Sequence, residues 1–137
     1  GYYCSELKGV GFGIEELRVA GYSGSEMRIA GFSATAMREA NFTCKKVRSA
    51  GYSAFEALEA GWSVEVLKAA SYEPRELREA RRPAWELKAV GFTLRELLDG
   101  GYTTGELQSV GYGAEELRAA GVKLAELAMA GATVAQL

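Results

Sequence analysis

The chain repeats itself every ten residues. GYSGSEMRIA at 21–30 is followed by GFSATAMREA at 31–40, and because the first copy starts at residue 1, the last digit of a residue number gives its place in the repeat. Thirteen full copies are followed by seven residues of a fourteenth. A unit this short cannot enclose a core, so its neighbours must complete it. The fold is thereby restricted to a stack of near-identical units.

Each place has a preference that a helix with marked ends explains. Ser or Thr stands third in eight copies and Glu sixth in ten. This is the spacing of a capping box, in which hydroxyl and carboxylate each accept a backbone N–H, as in Ser23 with Glu26 or Thr93 with Glu96. The helix therefore begins at the fourth place. An aromatic second and a Leu seventh, such as Phe92 and Leu97, form a hydrophobic staple across that start. Gly stands first in eleven of fourteen copies and supplies the left-handed residue that ends the preceding helix. Of the three exceptions, Asn41 tolerates that conformation best. The next aromatic also reaches back to the preceding Leu, so one ring pins two consecutive helices.

A helix of about seven residues, roughly 10 Å long, is too short to persist alone. Its apolar fourth, seventh and tenth places lie three residues apart on one side, and burying that stripe requires stacking. The expectation is an all-α solenoid of about fourteen short helices, one per repeat. Two helices per turn give a rod of roughly 60–70 Å from layers about 9–10 Å apart; three give a shorter, thicker body. Strands are disfavoured because no alternation of period two persists.

Composition narrows the function. With 48% hydrophobic and 25% charged residues, and only two prolines, the chain reads as one globular unit over residues 1–137. A net charge of −2 weighs against a dedicated nucleic-acid binder and against polybasic membrane attachment, and no apolar run is long enough for a transmembrane span. The absence of histidine removes the commonest general base and metal ligand. Cys4 and Cys44 share the apolar fourth place and read as buried thiols. Four repeats separate them, beyond the roughly 7 Å limit for a bridged pair.

The pattern Gly-aromatic-Ser/Thr-x-x-Glu-Leu-Lys/Arg-x-Ala, seen in GYSGSEMRIA, GFTLRELLDG and GYGAEELRAA, resembles the decapeptide arrays of many algal, protist and bacterial proteins. The likeness covers essentially the whole chain. It implies no assigned activity and carries over no catalytic residue. The wider likeness to α-solenoids, which mostly bind proteins, is an analogy of architecture.

Glu at the sixth place and Lys or Arg at the eighth form two charged columns. Acid near a helix start and base near its end suit the helix dipole, and such columns can pair across layers; a polyanion could also use the basic column. Carboxylates at periodic capping places do not single out an active site or a metal-ligand set, so no cofactor and no catalysis are expected. The reading is a non-enzymatic protein-interaction or scaffold module, or a structural subunit of a larger assembly. The alternative is a nucleic-acid or polyanion binder.

Departures from the repeat locate candidate contacts. SYEPRELREARRPAW at 71–85 loses Gly and the hydroxyl cap twice, holds both prolines, and gathers Arg75, Arg78, Arg81 and Arg82. Trp85 and Phe55 place aromatics fifth, where small or polar residues prevail. One reading is drift, with Pro74 acceptable as the first helical residue and Phe55 with Leu58 marking a one-residue rotation that compensates for Ala57. The other is a basic-aromatic surface for a protein partner. Residues 121–137, poor in charge, are expected either to make an end-to-end contact or to continue into further chain.

Overall fold

The computed structural model describes residues 1–129. Each of the first thirteen repeats contributes one six-residue helix from the fourth place to the ninth, and no strand occurs among the described residues. Two compact units divide the chain, Gly1–Tyr72 and Glu73–Leu137. The first holds α1 (Cys4–Gly9), α2 (Ile14–Val19), α3 (Gly24–Ile29), α4 (Ala34–Glu39), α5 (Cys44–Ser49), α6 (Ala54–Glu59) and α7 (Val64–Ala69). The second holds α8 (Pro74–Glu79), α9 (Ala84–Ala89), α10 (Leu94–Asp99), α11 (Thr104–Ser109), α12 (Ala114–Ala119) and α13 (Leu124–Met129). The expected fourteenth helix, and residues 130–137 of the proposed end contact, lie outside the described residues.

The helix starts are capped as the sequence requires. The hydroxyls of Ser23, Ser33, Thr43, Ser53, Ser63, Thr93 and Thr103 each accept the N–H three residues on, at 3.1 to 3.3 Å. The glutamate arm works even without a hydroxyl. Gly13 N–H donates to Glu16 Oε1 at 3.1 Å, Gly113 N–H to Glu116 Oε1 at 3.1 Å, and Glu73 N–H to Glu76 Oε1 at 3.2 Å.

At the other end, Phe32 N–H donates to Met27 O at 3.1 Å and Gly31 N–H to Arg28 O at 3.0 Å. These are the two bonds of a Schellman stop, and the pair recurs from α1 to α12. Non-glycine residues obey it too: Asn41, Ser71 and Arg81 sit at φ 68°, 75° and 63°. For Ser71 and Arg81 that conformation costs about 1–2 kcal/mol, so the stop is set by its hydrogen bonds and not by glycine alone. The helices are a residue shorter than expected because the tenth place already prepares the reversal, with ψ of −7° at Ala20 and 10° at Val10.

Packing within the units settles the number of helices per turn. In the first unit α1 packs on α3, α3 on α5, α5 on α7, and α4 on α6; in the second α8 packs on α10. Two helices make one turn of each solenoid. Tyrosine hydroxyls cross the same interval, Tyr72 donating to Tyr52 O at 2.8 Å and Tyr102 to Arg82 O at 2.6 Å.

In each unit the seventh-place side chains are buried, from Leu17 to Leu67 in the first, Ala57 included, and from Leu77 to Leu127 in the second. The proposed rotation of α6 does not occur: Ala57 stays buried and Leu58 is only half-buried. A helix capped at one end and stopped at the other, six residues apart, has no room to turn. A fourth and a tenth place meet across one turn in each unit, where a glycine sets the spacing. A Cβ on Gly24 would stand 3.1 Å from the Ala50 Cβ, and one on Gly100 would stand 2.7 Å from the Pro74 Cβ. Cys4 and Cys44 are free buried thiols, and burial pushes both above the usual thiol range.

Candidate interaction surface

Nine of the thirteen helices carry Lys or Arg at the eighth place, in their last turn, and several of these reach the helix one turn on. In the first unit Lys8 lies over the Phe32 ring, Arg18 over Phe42, Arg28 over Tyr52, Arg38 over Trp62 and Arg48 over Tyr72, between 5.0 and 5.8 Å from the ring centres. In the second, Arg78 lies over Tyr102 at 5.8 Å and Lys88 over Tyr112 at 4.5 Å. Several also donate to the last carbonyl of the helix that precedes the ring. Arg18 reaches Ala40 O at 3.0 Å, Arg38 reaches Ala60 O at 2.9 Å, and Lys88 reaches Val110 O at 3.1 Å. One side chain therefore covers a ring and caps a helix end.

The charged columns stay at the surface and engage neighbouring rings, carbonyls and helix starts more than each other. The eighth place couples to rings and carbonyls, while the sixth closes helix starts. Sequence reasoning anticipated ion pairing between layers and missed the rings, although a signal was present. Eight eighth-place Lys or Arg residues have a residue 24 positions on, and it is aromatic every time; Leu58, Leu98 and Gln108 are followed at that spacing by Arg82, Val122 and Ala132.

This accounting separates the four arginines of 71–85. Arg75 donates to Asp99 O at 3.4 Å. Arg78 covers Tyr102 and meets Glu106 at 3.6 Å. Arg82 occupies the aromatic place, pairs with Glu86 at 3.5 Å, and buries its Nε without a hydrogen-bond partner. Arg81, in the exposed turn before α9, makes no ion pair or side-chain hydrogen bond among the described residues. Trp85, the second residue of α9, is 60% exposed. Phe55, 54% exposed on α6, belongs to the first unit. The candidate surface thus contracts from a four-arginine cluster to Arg81 and Trp85, with Phe55 a separate exposed aromatic.

An open groove in the second unit is lined by Glu73, Pro74, Arg75, Glu96, Asp99 and Gly100. Its carboxylates are engaged locally: Glu96 accepts Thr93 N–H at 3.1 Å and Asp99 meets Arg95 at 3.7 Å. Among the described residues no cluster of three metal-ligating side chains occurs, and no helix is long and apolar enough to cross a membrane.

A family model for the decapeptide repeat region matches residues 1–74 and 71–137. The chain belongs to the decapeptide repeat family. In this decapeptide array the family's ten-residue period corresponds to one capped helix and one Schellman stop. Comparison with curated proteins and with solved structures gave no match.

Proposed function

We propose that the chain works as a non-enzymatic protein-interaction or scaffold module, with Arg81 and Trp85 as its contact pair. What carries this reading is the remainder after the repeated side chains are given their structural tasks. Sixth-place carboxylates such as Glu26, Glu56 and Glu96 close helix starts, and eighth-place cations lie over rings. Trp85 and Arg81 do neither. An exposed indole four residues from an exposed guanidinium matches the composition of protein-contact anchors, and an arginine with no internal partner is available to a carboxylate on the other protein.

The polyanion alternative draws on the eighth-place column, whose cations are already engaged with rings and carbonyls. The test replaces Arg81→Glu with Trp85→Ala and leaves Arg82, which pairs with Glu86, in place. Capture of the native partner should be lost while helical content and melting temperature hold. Retained capture would sink the assignment to this surface. Binding to duplex DNA that weakens steeply with salt would favour the polyanion reading instead.

A further inference from the structure

Two exposed aromatics interrupt the fifth places, one in each unit, and the free charges near them are opposite. Phe55 is the second residue of α6 and Trp85 the second residue of α9. On the Phe55 side the free charge is acidic. Glu59 stands one turn further along the same face of α6, exposed as its last residue, and Glu39 holds the same place on α4, which packs on α6. Neither carboxylate has an ion pair or side-chain hydrogen bond among the described residues. Arg38, next to Glu39 in the chain, is held on Ala60 O and over Trp62. Glu59 is also unfavourably placed for its own helix, because α6 has no cation in its last turn and a helix C-terminus repels negative charge. On the Trp85 side the free charge is basic. Arg81 has no internal partner and holds a left-handed conformation, φ 63°, which a non-glycine residue adopts only at a cost. Each of these charges sits where the single chain gains nothing from it.

We propose that the surface around Trp85 docks on the surface around Phe55 of a second copy of this chain. The occupant follows from charge complementarity, and the inference rests on the interaction reading by naming the partner of Arg81 and Trp85. Arg81 precedes its indole by four residues and Glu59 follows its phenyl ring by four. Stacking the two rings with α9 and α6 running in opposite directions therefore brings guanidinium to carboxylate. The same alignment sets Ala89, four residues after Trp85, over Gly51, four before Phe55, so neither charge nor bulk opposes it. Because the contact joins unlike surfaces, it is heterologous.

Sedimentation equilibrium of the intact chain from roughly 10 μM to 1 mM tests this, and the average mass should rise with concentration. Arg81→Glu and Glu59→Arg should each weaken association at least about tenfold, with helical content and melting temperature unchanged, and Phe55→Ala should weaken it too. Mixing the two charge variants should restore association, since the mixture pairs opposite charges at both contacts. Where a reversal lowers the melting temperature, Arg81→Gln or Glu59→Gln is read in its place. A chain that stays monomeric throughout, charge variants that associate like the parent, or a mixture that stays apart overturns the proposal. A monomeric chain that still captures a different protein through Arg81 and Trp85 would overturn this inference alone and leave the interaction reading standing.

Discussion

The two units solve the same stacking problem with different completeness. In Gly1–Tyr72 five successive cation–ring rungs run without a gap from Lys8–Phe32 to Arg48–Tyr72. In the second unit Arg78–Tyr102 and Lys88–Tyr112 give way to Leu98 and Val122, which replace cation and ring together. The carbonyl that Leu98 leaves uncapped is served from elsewhere: Arg95, at the fifth place, donates to Ala120 O at 2.7 Å. A rung is therefore a property of two residues that change together, while helix-end capping is a separate task open to any nearby cation.

If the buried leucine column dominates stability in both units, Leu67→Ala and Leu97→Ala should each cost about 2–5 kcal/mol in urea unfolding. A loss below about 1 kcal/mol at either would mean the column is not the common core. Next in size, Gly100→Ala should destabilise by about 1–3 kcal/mol, because its new Cβ would meet Pro74 backbone and Cβ atoms. Gly24→Ala in the first unit faces a looser 3.1 Å approach to a side-chain methyl and should cost less. The reverse order would contradict the packing of fourth on tenth places.

Installing the missing rung sharpens the comparison further. In a double-mutant cycle of Leu98→Arg and Val122→Tyr, the pair should exceed the sum of the single changes by about 0.5–1 kcal/mol. A zero coupling term would reduce the rungs to incidental proximity. The smallest effect concerns alkaline pH, where the units should agree. Tyr52 and Tyr102 are pushed up to about 12, chiefly by burial, then by Glu56 and Glu106 respectively, against the lowering influence of Arg28 and Arg78. Unfolded tyrosines lose their protons near pH 10 while these two keep theirs, so stability is full below about pH 10 and declines from 10 to 12. Tyr52→Phe with Tyr102→Phe should flatten that decline in melting temperature. An unchanged slope would exclude these hydroxyls as its source.

Local chemistry was legible in the sequence: Ser23 with Glu26 marks a start, and Gly31 with Phe32 marks a stop, within a few residues. Relations across a turn were not, because they depend on how many helices complete it. The pairing of Arg18 with Phe42 spans 24 residues and becomes readable only once two helices per turn are known. The same distance hides the partners of two arginines in 71–85: Arg75 reaches Asp99 O, and Arg78 reaches Tyr102 and Glu106. Arg81, Trp85 and Phe55 are all exposed, and the rotation invoked for Phe55 does not occur.

The 24-residue rung also determines which edits of array length the protein tolerates. Deleting residues 31–40 would bring Lys8 to Phe42, Arg18 to Tyr52 and Arg28 to Trp62, so each cation would still find a ring. Deleting residues 101–110 would bring Lys88 to Val122 and cost that cation its ring. Where the columns are uniform, a repeat can be gained or lost without breaking a rung; where a matched exception such as Leu98 and Val122 has become established, the count of repeats between its members is fixed.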